Sequence, residues 1–205
     1  MRNLTGLDIC FNRNHGNDEM DQLIALDISF NSIDNNRIKI ISGMKNLTKL
    51  RCFANDFNLE GIKSLVSMKN ITNLGIGPNK IGTAETKALS EMKQLTALDL
   101  RCNYITMEGA QYISELHNLP ELFINQIPLV VKEPIGLATL NDITAEGAQL
   151  ISSMDSLTFL SIGQNNISSL GAKFIGNGLR NLRTLDIHNN TIDLEGVQAI
   201  CKLII

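Results

Sequence analysis

The 205-residue chain has no tryptophan, and only two tyrosines, three histidines, four prolines and four cysteines. Each scarcity narrows what the chain can do. His15, His117 and His188 lie in separate parts of the sequence, so no nucleophile–base–orienter set emerges. There is no phosphate-cradling glycine loop, no Gly-x-Ser-x-Gly elbow and no cluster with metal-ligand spacing. The expectation is a non-enzymatic protein with no cofactor and no metal. Cys10, Cys52, Cys102 and Cys201 form no Cys-x-x-Cys pair and read as reduced thiols, hence a reducing, cytoplasmic setting. No apolar run reaches membrane-spanning length, and the opening MRNLTGLDIC leaves no space for a signal peptide's apolar stretch. No membrane partner is expected.

Apolar content of 43% and a net charge of −3 fit an ordinary globular protein. The charge is uneven. Residues 1–36 carry two bases and six acids, residues 37–93 ten bases and four acids, and the remainder six bases and eleven acids. A basic middle between acidic ends favours an anionic partner weakly, while the overall balance argues against nucleic acid.

What is abundant is a repeated phrase. It reads LIALDISFNSI from Leu23, LTKLRCFANDF from Leu47, ITNLGIGPNKI from Ile71 and LTALDLRCNYI from Leu95, then LTFLSIGQNNI from Leu157 and LRTLDIHNNTI from Leu182. The starts from Leu23 to Leu119 are 24 residues apart. A fixed period of this size marks a solenoid. In the copy from Leu95, Leu98 and Leu100 alternate with Ala97, Asp99 and Arg101, as in a short strand with one buried face. Asn103 turns the chain, and Ala110, Ile113 and Leu116 recur at helical spacing behind it. Glu-Gly recurs at Glu60-Gly61, Glu108-Gly109, Glu146-Gly147 and Glu195-Gly196. Met44, Met68, Met92 and Met154 share one register and read as core filler.

These residues resemble the leucine-rich repeat family over nearly the whole chain. The Glu-Gly-Ala helix side is similar to the ribonuclease-inhibitor-like subgroup and to Gly-Ala-rich repeats of some bacterial effectors and protist proteins. The resemblance implies an α/β leucine-rich repeat solenoid, a curved right-handed superhelix with parallel strands on the concave face and helices on the convex face. It also implies an asparagine ladder at Asn31, Asn55, Asn79, Asn103, Asn165 and Asn190. Residues 1–205 then form a single domain of about eight repeats.

The phrase fails in three places. The first unit, residues 1–22, is degenerate and next to a shortened step, as capping repeats often are. Between Leu119 and Leu157 the step is 38 residues, and Ile127 stands where an asparagine is expected. Pro120, Pro128 and Pro134 crowd the same stretch, so about 120–140 is an irregular insertion, read either as a binding loop or as a decayed repeat. At the end, Leu203, Ile204 and Ile205 lack a polar cap, so either the sequence is a truncated array or this edge pairs with another copy, a homo-association.

Residues between the leucines point to the concave face, and six of the nine aromatics fall there or on its rim: Phe11, Phe30, Phe53, Tyr104, Phe123 and Phe159. Aromatic and arginine side chains dominate interface hot spots. The candidate partner-binding residues are therefore Arg51, Phe53, Asp99, Arg101, Tyr104, Phe123, Phe159 and His188. Lys45, Lys69 and Lys93 form a further row, continued by His117, which is either a solvated edge or a seat for an acidic partner. The functional expectation is a protein–protein interaction module. The alternatives are the substrate-receptor portion of an F-box-type ubiquitin ligase or secreted effector, and a self-associating structural array.

Overall fold

The computed structural model describes residues 6–8, 23–126 and 141–204. The degenerate first unit, apart from Gly6–Asp8, and the stretch 127–140 with Ile127, Pro128 and Pro134 lie outside the described residues.

Eight short parallel strands form one sheet in sequence order. They are β1 Gly6–Asp8, β2 Ala25–Asp27, β3 Lys49–Arg51, β4 Asn73–Gly75, β5 Ala97–Asp99, β6 Glu121–Phe123, β7 Phe159–Ser161 and β8 Thr184–Asp186. Seven helices follow strands β2 to β8: α1 Asn35–Ile41, α2 Leu59–Val66, α3 Thr83–Leu89, α4 Met107–Ser114, α5 Ala145–Ile151, α6 Ser168–Gly178 and α7 Leu194–Cys201. Each strand pairs only with its neighbours, and each helix packs on the next. The result is the leucine-rich repeat solenoid that the repeated phrase implies.

Register follows from the leucines. Leu26, Leu50, Leu74, Leu98, Leu122 and Leu160 sit opposite one another across successive strands, and all are buried. A slip of one residue would carry the whole set to the opposite face, so burial pins the register. One strand and one helix cannot bury such a row, but stacked copies make it continuous. Met68, Met92 and Met154 fill the far end of that core, with Met44 partly buried against it. Cys52 occupies a position held elsewhere by isoleucine or leucine and is fully buried. Burial and, secondarily, the nearby Asp27 carboxylate push its thiol far above the ordinary range, which leaves it unreactive.

The recurring Glu-Gly has a steric cause. A Cβ at Gly61 would stand 2.6 Å from Phe57 Cβ and 2.8 Å from Asn35 Oδ1 of the preceding repeat. At Gly196 it would meet Ile192 Cγ2 at 2.5 Å and Ser169 Cα of the preceding repeat at 3.1 Å. No described glycine has a positive φ, so these glycines supply room for close helix packing rather than a special backbone. Several helix starts are capped locally, by Asp34 on Arg37 N–H, Asn58 on Glu60 N–H and Asp193 on Gly196 N–H.

The turn after each strand is closed by an asparagine. Asn103 Oδ1 accepts from the N–H groups of Asn79 and Ile81, both at 3.0 Å. Its Nδ2 donates to the carbonyls of Ile76 and Leu100. Asn55, Asn79, Asn165 and Asn190 make the same kinds of bond to the repeat before them. Between Asn103 and Asn165 the rung is Asn141, whose Oδ1 accepts from Ile105 N–H at 2.9 Å and whose Nδ2 donates to Leu100 and Ile124. Pro120 to Gln126, expected to belong to the irregular insertion, keep the repeat's course, and Asn141 again holds a ladder position.

Asn103→Ala strips the side-chain partner from three buried backbone groups at once, the N–H groups of Asn79 and Ile81 and the carbonyl of Ile76, while the Leu100 carbonyl keeps Asn141. At about 1 kcal/mol per stranded group, the expected loss is about 3 kcal/mol. Urea unfolding of this variant beside Asn55→Ala, where the site is partly exposed, should show the smaller loss for Asn55.

Candidate functional site: the strand face

Side chains that alternate with the buried leucines line the opposite face of the sheet. One row runs Asp27, Arg51, Gly75, Asp99, Phe123, Ser161, Asp186 across consecutive strands. A second runs Lys49, Asn73, Ala97, Glu121, Phe159, Thr184. Just past the strand ends stand Phe53, Gly77, Arg101, Asn125, Gly163 and His188.

The centre of this face is a stack around one guanidinium. Arg101 lies 5.8 Å from the centroid of the Phe53 ring and 5.6 Å from that of Phe123. Phe123 in turn packs on Phe159 at 4.6 Å between centroids, with the rings tilted by 35°. A cation over an aromatic face is attracted by the ring's quadrupole, the more so where water is thinned. Asp99 holds the guanidinium from one side: Nε donates to Oδ1 at 2.9 Å and to Oδ2 at 3.0 Å, and Nη2 donates to Oδ2 at 2.5 Å. These bonds, opposed by burial, raise the Arg101 pKa further, so the charge is permanent. Nη1 has no partner among the described residues and its N–H groups remain available.

Glycines make the stack possible. A Cβ at Gly75 would stand 2.8 Å from Phe53 Cε1, and one at Gly77 would stand 3.0 Å from Phe53 Cδ1. The Phe53 ring therefore lies flat on the backbone of the next repeat. His188 lies on Gly163 in the same manner. Around it is a chain of polar groups. His188 Nδ1 is 2.5 Å from Asp186 Oδ1, and Ser161 Oγ donates to Asp186 Oδ2 at 2.8 Å, with Asn125 Oδ1 2.9 Å away. Burial raises the Asp186 pKa, but the bonds from His188 and Ser161 outweigh it and hold the carboxyl below its ordinary value of 3.8. Serine, aspartate and histidine meet here in the wrong order for acyl transfer. The carboxylate stands between Ser161 and His188, so the imidazole is not the base for the hydroxyl.

The predicted site residues are thus brought together in part. Phe53, Asp99, Arg101, Phe123 and Phe159 form one contiguous stack. His188 stands at the far end, with the polar chain. Arg51 is exposed on β3, one strand from the Gly75 seat. Tyr104 lies past the turn, half-buried on the rim, where its N–H donates to the Ile81 carbonyl at 2.8 Å; it is outside the stack. Three elements escaped prediction: the glycine seats, the Ser161–Asp186–His188 chain and the Asn141 rung. The pairing of large side chains with glycines of an adjoining repeat, later for Phe53 and earlier for His188, was the available signal for the first. The lysine row is held locally, since Lys69 Nζ donates to the Val66 carbonyl and Lys93 Nζ to the Glu115 carbonyl, both at 3.0 Å. The described residues hold no group of three or more potential metal ligands, and no helix among them is long and apolar enough to cross a membrane.

Asp186 has a depressed folded pKa, so its contribution to stability is present above its unfolded value and is lost as pH falls through the folded one. Asp186→Asn should therefore flatten the loss of Tm below about pH 4 relative to the native chain, as measured by circular dichroism melts.

Comparison with known proteins agrees with this geometry. Family models described as leucine-rich repeats match residues 93–114 and, in two copies, 155–199. No curated protein matches the sequence. Among solved structures, an internalin (InlF) of Listeria monocytogenes aligns with a TM-score of 0.59 at 19% identity, over 90% of this chain and 54% of its own. A leucine-rich repeat protein of Leptospira interrogans gives 0.61 at 19% identity, over 97% and 47%. The Arabidopsis receptor kinase HAESA, solved with the peptide hormone IDA and the co-receptor SERK1, gives 0.52 at 19% identity, over 84% and 27%. The chain spans about half the length of the first two. From the repeats outward to these likenesses, residues 93–114 and 155–199 are recognised as leucine-rich repeats, and the described chain is wound into the leucine-rich repeat solenoid.

Proposed function

We propose that this solenoid is a protein-interaction module that captures its partner on the concave strand face, with Phe53, Arg101, Phe123 and Phe159 as anchors. The observation that carries this reading is the guanidinium set between two phenylalanine rings and locked by Asp99. Such a stack supplies aromatic area and a directed N–H donor at little further entropy cost, because its rotamers are already held. HAESA, similar to this chain in fold, was solved with a peptide hormone and a co-receptor, which supports a peptide or protein as the partner. Arg51, Tyr104 and His188 widen the surface around the anchors. The buried thiols of Cys52 and Cys102 suit a reducing setting such as the cytoplasm.

A second reading is self-association, favoured by Leu194 and Val197 on α7, which are 72% and 47% exposed. Sedimentation at rising concentration tests it: a monomer throughout removes it.

Arg101→Ala and Phe123→Ala should each weaken partner capture by about tenfold or more, the usual scale of a hot spot, with Tm lowered by only a few degrees. Tyr104→Ala should have a smaller effect. If both stack variants capture normally while deletion of residues 127–136 abolishes capture, the site is the insertion instead.

A further inference from the structure

The outer strand β8 and the helix α7 behind it present a face that no other element covers among the described residues. Val197 is 47% exposed there, whereas the residues at its position in the six preceding repeats, Ile38, Ile62, Thr86, Ala110, Ala148 and Ala172, are at most 1% exposed. Leu182, Leu185, Ile187, Ile192 and Ile200 are half-buried, and their counterparts one repeat earlier are fully buried. The backbone is open along the same edge. Ile162 and Gln164 donate their N–H groups to the carbonyls of Asp186 and His188 at 2.8 and 2.7 Å. The corresponding N–H groups of Ile187 and Asn189 have no acceptor among the described residues.

What closes such a face must bring a strand edge with an apolar layer behind it. A second copy brings both, and the face is complementary to itself. A twofold axis normal to the sheet sets β8 antiparallel to its copy and α7 antiparallel to its copy. Leu194, 72% exposed at the start of α7, then meets Cys201 and Leu203 at the far end of the other copy's helix, and Val197 lies near the axis. Asp193, exposed at the start of α7, comes towards Lys202, exposed at its end, and the two helix dipoles oppose. Charge also sets the strand register. With Leu185 opposite Leu185, Thr184 stands across from Asp186, whose Oδ2 takes one bond within its own copy, from Ser161, and keeps a lone pair for the threonine hydroxyl. Centring on Asp186 instead sets two carboxylates face to face.

We infer that the chain forms a closed twofold dimer through β8 and α7, each antiparallel to its copy. The eight strands of each copy join into one continuous sheet, and the dimer carries two aromatic stacks on one shared concave side. A partner with two matching segments is then held at both. This inference rests on the self-association reading above and adds its surface, its symmetry and its closure.

Sedimentation of the 205-residue chain at rising concentration should end at the mass of a dimer and go no further. Leu194→Glu places a charge in the apolar contact and should raise the dimer dissociation constant about tenfold or more, with an unchanged melting curve because the side chain is exposed in the single copy. Geometry is read by cross-linking in a Cys201→Ser background. Val197→Cys should form a disulfide between copies under mild oxidation, since a disulfide needs Cα atoms within about 7 Å, while Lys63→Cys, exposed on α2, should not. A monomer at every concentration overturns both this inference and the self-association reading. A dimer that Leu194→Glu leaves intact, or in which Val197→Cys fails to cross-link, overturns the inference alone. Growth beyond the dimer also overturns it, because it shows a head-to-tail contact that does not close.

Discussion

Each described turn from β2 to β7 depends on an amide that belongs to the next repeat. The asparagine side chain has both a donor and an acceptor, and the bend after each strand leaves backbone N–H and C=O groups facing inward where water cannot reach them. Asn103 serves the carbonyl of Ile76 and the N–H groups of Asn79 and Ile81 in the unit before it, while bonding its own turn through Leu100. No repeat is therefore complete alone. This dependence, together with the leucine stack, couples nearest neighbours and aligns the strand face over eight strands.

The turn so held is a strained one. Ala54, Cys102, Gln164 and Asn189, each directly before a ladder asparagine, have φ near +50°, a region that costs a residue with a side chain about 1–2 kcal/mol. At the equivalent place in the fourth strand's repeat stands Pro78, whose ring forbids positive φ; Lys80, just past the asparagine, is left-handed there, as are Ser32 and Thr191 in their repeats. The paired groups of the ladder outweigh this strain.

Architecture was legible because it is written in one-letter regularities. Leu98 and Leu100 name the buried face, and Asn103 names the turn. The rung at Asn141 was harder to see, because counting from Leu119 places Ile127 there. Only the geometry shows that a side chain 14 positions later reaches the same carbonyls. The stack was half legible: aromatics on a polar face stand out, but their mutual contacts do not. Phe53 finds Arg101 across Gly75 and Gly77, two strands away, and a missing Cβ carries no letter that marks it as a seat. Likewise Ser161 and Asp186 are 25 residues apart in sequence, and only the strand pairing makes them neighbours.

Because Gln126 and Asn141 each keep their bonds to the adjoining repeats, whatever joins them is exempt from the solenoid's arithmetic. Elsewhere one added residue would carry an asparagine away from its carbonyls. At this joint both ends are held by their own bonds, which do not depend on how many residues lie between them. Among the described residues, the joint between Gln126 and Asn141 is thus a place where the number of residues between two held ends departs from the repeat. A lineage of such proteins could remodel recognition there while leaving every load-carrying amide in place.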